Sequence, residues 1–98
     1  MSYVSKLKSK EFDELFQVVL LLKNEEECYR FFEDICTVQE LKSIAQRLQV
    51  AKQLQEEKTY AVIEENTKVS TATISRINRS LLYGADGYKL VLARLKKS

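Results

Sequence analysis

The sequence predicts an all-α fold of six helices, and three observations support this prediction. The 98 residues include no proline and only two glycines, so few positions interrupt a helix. Residues that favour helix N-caps stand immediately before apolar segments. Within several of these segments the apolar residues recur at spacings of three and four, as they do on one face of a helix. A chain of this length is expected to form one small domain with a modest core.

The first predicted helix runs from about Ser9 to Lys23, and its second half is apolar around almost its whole circumference. A helix with this pattern needs to be buried on all sides, which is difficult within so short a chain. We therefore expect a second subunit to cover it, with a central core helix in a monomer as the alternative. Asn24 is the expected N-cap of a second helix, from Glu25 to about Ile35.

The third predicted helix is the longest, and Thr37 and Glu40 form a capping box at its start. The last helix follows the segment that contains both glycines. The residues expected to face the core are Leu41, Ile44, Ala45, Leu48, Ala51 and Leu54 in the third helix and Leu90, Val91 and Leu95 in the last. The predicted organisation is a single helical domain with N-terminal dimerisation helices in residues 1–36, a long central helix in 37–57, a helix-turn-helix in 59–82 and a C-terminal helix in 87–97.

Residues 59–82 have the pattern of a helix-turn-helix. Thr59 and Ser70 are suited to cap its two helices. The tight turn between them lacks the usual glycine, so either Lys68 or Asn66 is expected to adopt a left-handed conformation. The residues of the second helix that share its core-facing side are Ile74, Ile77 and Leu81.

The opposite side of this second helix carries short hydroxyl and methyl groups together with arginine, a set that suits contact with DNA. Such groups near a helix N-terminus let the backbone approach base edges in the major groove. Serine, threonine and asparagine are mediocre helix formers, so solubility alone explains their abundance less well, and a solvated polar face is the alternative. The predicted base contacts are Thr71, Ala72 and Ser75, with Ser70 and Thr73 beside them, and the predicted phosphate contacts are Lys58, Lys68 and Arg79.

The net charge of +2 is modest for a DNA-binding protein, but the charge is unevenly distributed. Residues 1–36 carry five basic and eight acidic side chains (net −3), whereas residues 37–98 carry eleven and six (net +5). The basic half is the one that contains the helix-turn-helix, as binding to phosphate requires. The sequence has no histidine and no CxxC motif, and no nucleophile–base pair is recognisable, so we expect neither a metal site nor catalysis.

The sequence also predicts the compartment. Acidic residues interrupt the basic N-terminal segment, and the apolar run Leu15–Leu22 is too short to cross a bilayer, so neither a signal peptide nor a membrane span is expected. Of the two cysteines, Cys28 is expected to be buried as a small apolar residue. We expect the protein in the reducing cytoplasm, associated with the nucleoid when it is bound to DNA.

The arrangement resembles the Trp repressor family and, within it, the small Trp-repressor-like proteins of the YerC/YecD branch. The resemblance is clearest from Thr37 to about Leu82, in the segments TVQELKSIAQRLQVAKQL and TYAVIEENTKVSTATISR. Glu64 stands where many other helix-turn-helix domains have alanine, and Trp repressors share a charged residue there. The resemblance implies a Trp-repressor-like fold: an intertwined, two-fold symmetric homodimer with interlocking N-terminal helices and two projecting DNA-reading heads.

The same resemblance implies an effector site. In Trp repressors, tryptophan binds between the long central helix and the recognition helix, where two arginines hold its carboxylate and ring. Arg47 and Arg76 match these arginines, and Ser80 matches a serine near the ligand amine. Ile77 replaces a glycine against which the indole lies flat, so we expect a corepressor, if there is one, to be an amino acid or related metabolite other than tryptophan. For Arg47, an ordinary ion pair with Glu40 or with a second subunit is the alternative role.

Two functional hypotheses follow from these patterns. The first is a sequence-specific transcriptional repressor that binds a palindromic operator in double-stranded DNA as a homodimer. The second is a helical protein-interaction module that lacks specific DNA binding, which the modest net charge and Ile77 would favour. Salt-dependent retention on immobilised DNA would distinguish the two.

Overall fold

The computed structural model of the chain describes residues 3–97, and these residues form six α-helices and no strand. They divide into two compact units, the first ending at Thr37 and the second beginning at Val38. The all-α class and the number of helices predicted from the sequence are confirmed. None of the helices within residues 3–97 has both the length and the apolar character that a bilayer crossing would need.

The first unit contains α1 (Lys10–Val19) and α2 (Glu25–Ile35). The Ser9 hydroxyl accepts a hydrogen bond from the Phe12 N–H at 3.1 Å, and the Asn24 side chain accepts one from the Glu27 N–H at 2.9 Å. These two caps satisfy N–H groups that the first turn of each helix leaves unpaired. The predicted cap of α2 is therefore confirmed.

The prediction that α1 continues to Lys23 is wrong. From Leu21 onward the backbone N–H groups bond to the carbonyl three residues earlier rather than four: Leu21 bonds to Val18 at 3.0 Å and Leu22 to Val19 at 3.1 Å. The α-helix thus tightens into a turn after Val19, as many helix ends do. This turn and the extended Asn24 redirect the chain into α2.

The apolar side chains of the first unit are largely exposed, and neither α1 nor α2 contains a buried residue. Phe16 is 56% exposed and Leu20 is 83% exposed. The alternative in which α1 is the core helix of a monomer finds no support, because α1 contains no buried residue. The prediction that Cys28 is buried is also wrong for the single chain, since its side chain is exposed.

The second unit contains α3 (Val38–Gln55), α4 (Tyr60–Thr67), α5 (Thr71–Tyr83) and α6 (Gly87–Lys97). The long helix α3 packs against each of the other three, and α5 packs against α4 and α6. Their apolar side chains form a single core at the centre of this unit. The buried core residues are Val50, Ala51, Ile63, Ile74, Ile77, Leu81 and Leu92.

The predicted core-facing residues are partly correct in α3, and those predicted in α6 are wrong. In α3 the buried residues are Val50 and Ala51, both in its second half, whereas Ile44 is exposed near its middle. In α6 the buried residue is Leu92, which is 6% exposed. Periodicity identified the helices but not the side of each that meets its neighbours. In α6, Val91 and Leu95 are four residues apart, as core-facing residues often are, yet Leu90, Val91 and Leu95 are all about half exposed.

Candidate nucleic-acid interface and the cleft beside it

Two side-chain caps begin the helices of the helix-turn-helix. The Thr59 hydroxyl accepts a hydrogen bond from the Val62 N–H at 3.2 Å at the start of α4. The Ser70 hydroxyl accepts one from the Thr73 N–H at 3.3 Å at the start of α5. Both caps were expected from the sequence and both are confirmed.

The turn between α4 and α5 is formed by Lys68 in a left-handed conformation, with φ 63° and ψ 19°. Its N–H donates to the Glu64 carbonyl at 2.8 Å and so closes the end of α4. The Thr67 hydroxyl donates to the Ile63 carbonyl at 2.7 Å and accepts from the Val69 N–H at 3.3 Å, which fixes the chain on both sides of the turn. Of the two residues that the sequence left open for this conformation, Lys68 adopts it.

Asn66, the other candidate, has a different part in the fold. It lies in the last turn of α4, and its side-chain amide donates to the Gln53 side-chain oxygen on α3 at 3.0 Å. Ile63 and Ile74 are fully buried between the helices, and Val69 packs against the same core from the turn. The two helices of the motif are therefore held on α3 by a buried core and by one polar contact at the surface.

The outward side of α5 presents the side chains that the sequence predicted for base contact. Thr71, Ser75 and Arg79 are spaced by four and lie on one exposed stripe, with Ala72 exposed beside it. Thr73 is half-buried, and its hydroxyl accepts a hydrogen bond from the Ser70 hydroxyl at 3.2 Å. Thr73 is thus turned away from the stripe and towards the turn.

Lys58, a predicted phosphate contact, lies between α3 and α4 rather than on the recognition helix. Its amine is 3.4 Å from a Glu56 carboxylate oxygen, and both side chains are about half exposed. A surface ion pair of this kind contributes between zero and about 1 kcal/mol, so it does little to hold the amine in place.

Beside the outward stripe, α3, α5, α6 and the turn before α5 line an open cleft of about 370 Å³. The three residues predicted to bind an effector, Arg47 from α3 and Arg76 and Ser80 from α5, all line it. Residues far apart in the sequence are thereby brought around one space. Three residues predicted to contact DNA also line this cleft, namely Lys68, Ser70 and Thr73.

Sequence reasoning missed several cleft residues. Ser43 and Gln46 line the cleft. Ser43 lies four positions before Arg47 on α3, so helical spacing could have indicated it, whereas Gln46 is adjacent to Arg47 and no such spacing indicates it. Tyr88 on α6 also lines the cleft. No local pattern connects Tyr88 with Arg47, because their proximity depends on how α6 packs against α3.

Ile77 belongs both to the cleft and to the core. Its side chain is only 5% exposed and packs with the buried residues of the second unit. It also forms part of the cleft lining. Ile77 is thus a fixed wall of the cleft rather than a surface residue that could move aside for a ligand.

The cleft is positively charged. Arg47, Lys68 and Arg76 line it, and no aspartate or glutamate does. Among residues 3–97, none of these three side chains forms an ion pair with a carboxylate. The alternative in which Arg47 pairs with Glu40 of its own chain is therefore not seen.

Known proteins with the same architecture place this arrangement in a family. Residues 10–96 match the family model described as Trp repressor protein. The chain is 54% identical to YerC of Bacillus subtilis, which is described as uncharacterized, over 97% of this chain and 91% of that protein. Among solved structures it resembles a TrpR-like protein of Eubacterium eligens, with a TM-score of 0.90, 55% identity and coverage of 93% of this chain and 94% of that one.

A candidate Trp repressor from Staphylococcus aureus has a similar fold, with a TM-score of 0.89 and 53% identity over 93% of this chain and 91% of that one. The resemblance extends over both units rather than over the helix-turn-helix alone. The chain belongs to the Trp repressor family.

Proposed function

We propose that the protein is a sequence-specific transcriptional repressor that binds a palindromic DNA operator as a homodimer and has no catalytic role. Membership of the family supports a DNA-binding regulator. The observation that carries the more specific proposal is the exposed stripe of Thr71, Ser75 and Arg79 on a helix whose other side is locked into the core. A rigid helix with such a stripe fits a major groove. We also propose that the protein acts in the cytoplasm, at the nucleoid, where its DNA target lies.

Each side chain of the helix-turn-helix has a defined part in this proposal. Thr71, Ala72 and Ser75 meet base edges, where hydroxyl groups hydrogen-bond and methyl groups touch thymine. Lys58, Lys68 and Arg79 neutralise backbone phosphates, which positions the helix without reading sequence. Ser70 and Thr73, at the start of α5, support the approach to the DNA backbone.

The homodimer is supported by the apolar surface of the first unit. Phe12 and Phe16 stack with ring centroids 6.1 Å apart, and both remain exposed. Tyr29 and Ile35 of α2 are exposed as well. So many large apolar side chains on two short helices exceed what a monomer usually leaves in water, and a second copy is the partner that the family suggests. Two heads related by a two-fold axis would enter successive major grooves about 34 Å apart.

We further propose that a small molecule other than tryptophan gates DNA binding through Arg47, Arg76 and Ser80. The three side chains line one cleft next to the recognition helix. Ile77 supports the exclusion of tryptophan because its side chain already fills the wall against which a flat ring would lie, and it is held there by the core. Removing it from the cleft would cost core packing.

The proposal is tested by placing a carboxylate on the exposed stripe. Thr71→Glu should reduce affinity for an operator duplex by at least tenfold, because the new charge faces phosphates and base acceptors. Gln39→Glu adds the same charge at an exposed position in the first turn of α3 and serves as the matched control. Fluorescence anisotropy measures binding, and circular dichroism verifies that helicity is unchanged. Equal affinity of Thr71→Glu and the wild type would refute the assignment of this stripe to DNA.

A helical protein-interaction module without specific DNA binding is the second candidate. The half-exposed Leu90, Val91 and Leu95 of α6 favour it, because they give the second unit an apolar surface of its own. The two candidate functions predict different binding to DNA. Only the repressor should prefer an operator duplex over random DNA at physiological salt, and equal binding to both would favour the interaction module.

A further inference from the structure

The cleft beside the recognition helix gathers positive charge from three separate elements. Arg47 comes from α3, Lys68 from the turn and Arg76 from α5. No carboxylate of the described residues lines the cleft or pairs with any of the three. Like charges around one space repel each other, and an anion placed between them would relieve that repulsion.

The uncharged part of the lining also favours an anion. Ser43, Ser80 and Tyr88 contribute hydroxyl groups, and within residues 3–97 these groups form no side-chain hydrogen bond. Each can donate to a carboxylate or phosphate oxygen. The ammonium of a zwitterionic amino acid would find no carboxylate in this lining. Three cations therefore match a ligand that carries two negative charges better than one with balanced charge.

The size of the cleft suits a small metabolite. Its volume of about 370 Å³ lies near the lower end of the range for small-molecule sites. Ile77 is a fixed wall of the cleft, so a broad planar ring cannot lie against α5 at this point. The ligand that fits is compact.

The cleft shares residues with the proposed DNA contacts. Lys68 and Ser70 lie in the turn that approaches the phosphates in the proposed complex, and both line the cleft. A ligand that engages these side chains takes donors from the DNA backbone and adds negative charge next to it. The ligand and DNA would therefore oppose each other, and linkage requires this opposition to be reciprocal.

From these observations we propose that the cleft binds a compact organic dianion, a phosphate monoester or a dicarboxylate, and that this ligand releases the protein from DNA. Only the release from DNA rests on the proposed function. Binding of the dianion depends on the cleft and not on DNA.

The first experiment measures binding in the absence of DNA by isothermal titration calorimetry with the full chain. The probes are glycerol 3-phosphate and succinate, compared with acetate and L-tryptophan at constant ionic strength. At least one dianion should bind about tenfold more tightly than acetate. Arg76→Gln should weaken that binding roughly ten- to a hundredfold, as expected for the loss of a charge-assisted hydrogen bond. Arg79→Gln makes the same change on the same helix but outside the cleft lining, and should leave it unchanged.

Two results would overturn the dianion site. One is that neither glycerol 3-phosphate nor succinate binds more tightly than acetate. The other is that Arg76→Gln and Arg79→Gln weaken binding equally, which would indicate a general attraction of anions to a basic surface. Melting curves of both variants verify that they are folded.

The second experiment titrates an operator duplex with the wild type at a saturating concentration of the dianion that binds. The dissociation constant for DNA should rise at least tenfold in the wild type, and should change far less in Arg76→Gln. Unchanged or tighter DNA binding would overturn the proposed opposition. A wild type that binds the dianion but no duplex would refute the proposed function and the opposition, and would leave the dianion site supported.

Discussion

Replacing Lys68 with glycine should stabilise the protein and weaken its binding to DNA. Lys68 holds a left-handed conformation with φ 63° at the end of α4, and its side chain is exposed. The same residue is a proposed contact to DNA phosphate. The Lys68→Gly substitution therefore tests two effects separately. Protein stability reports the conformational cost of the turn, and DNA affinity reports the contribution of the lysine side chain.

The magnitude of the stability change follows from two opposing terms. A left-handed conformation costs a residue other than glycine about 1–2 kcal/mol. Glycine avoids this cost. However, glycine also increases the conformational entropy of the unfolded chain, which offsets about 0.4–1 kcal/mol of the gain. The midpoints of the two ranges leave a net gain of about 0.8 kcal/mol, within limits of zero and about 1.6 kcal/mol. For a chain of about 100 residues the midpoint corresponds to an increase in Tm of about 3–6 °C.

Glu57 provides a matched control. It has φ 62° at the end of α3, where its N–H donates to the Leu54 carbonyl at 3.0 Å and the Lys58 N–H donates to the Gln53 carbonyl at 3.1 Å. These two bonds form the helix-ending pattern in which glycine is usual. Glu57→Gly should raise Tm by a similar amount, and its DNA affinity should be no lower than that of the wild type.

The DNA assay measures the dissociation constant as a function of salt concentration. Each phosphate contact contributes about 0.9 to the slope of log K against log salt. A homodimer that loses Lys68 from both heads should show a slope reduced by about 2. A Lys68→Gly protein with a lower Tm than the wild type would refute the account of the turn. An unchanged slope would remove Lys68 from the phosphate contacts.

Three further predictions concern the core, the effector and the subunit interface. In a denaturant titration, Ile77→Ala should lower the free energy of unfolding by about 2–3 kcal/mol, because the side chain belongs to the core. Leu82→Ala, at a half-exposed position, should lower it by less than about 1 kcal/mol. L-Tryptophan should not raise the Tm of the wild type, and an increase that depends on its concentration would contradict the role given to Ile77. Phe16→Glu should convert the homodimer into monomers in sedimentation equilibrium, whereas Glu14→Gln should not; a dimeric Phe16→Glu protein would exclude this surface from the interface.

The parts of the fold that depend on neighbours in sequence were predictable. Asn24, Thr59 and Ser70 cap helices as expected, since a cap joins a side chain to an N–H only three residues away. The bounds of α2 and α5 follow from such local signals. The end of α1 was missed because apolar residues continue through Leu20–Leu22 after the helical bonding pattern has changed.

The parts that depend on packing between helices were less predictable. The sequence does not reveal that Leu92 rather than Leu90 faces the core, because α6 is short and apolar residues occur on several of its sides. The proximity of Arg47 and Arg76 was expected only from the family resemblance. That Lys68, Ser70 and Tyr88 share their cleft emerges from the packing of α3, α5 and α6, and no periodicity within one helix contains this information.

In the proposed complex two copies of α5 read DNA together. This arrangement can be examined by letting the wild-type protein select from duplexes of ~30 bp with randomised sequence, with Thr71→Glu as the control. The wild type should enrich a palindrome whose half-sites lie about 10 bp apart and which one homodimer binds, whereas Thr71→Glu should enrich nothing. Random sequences after repeated selection, or a single half-site without two-fold symmetry, would contradict it.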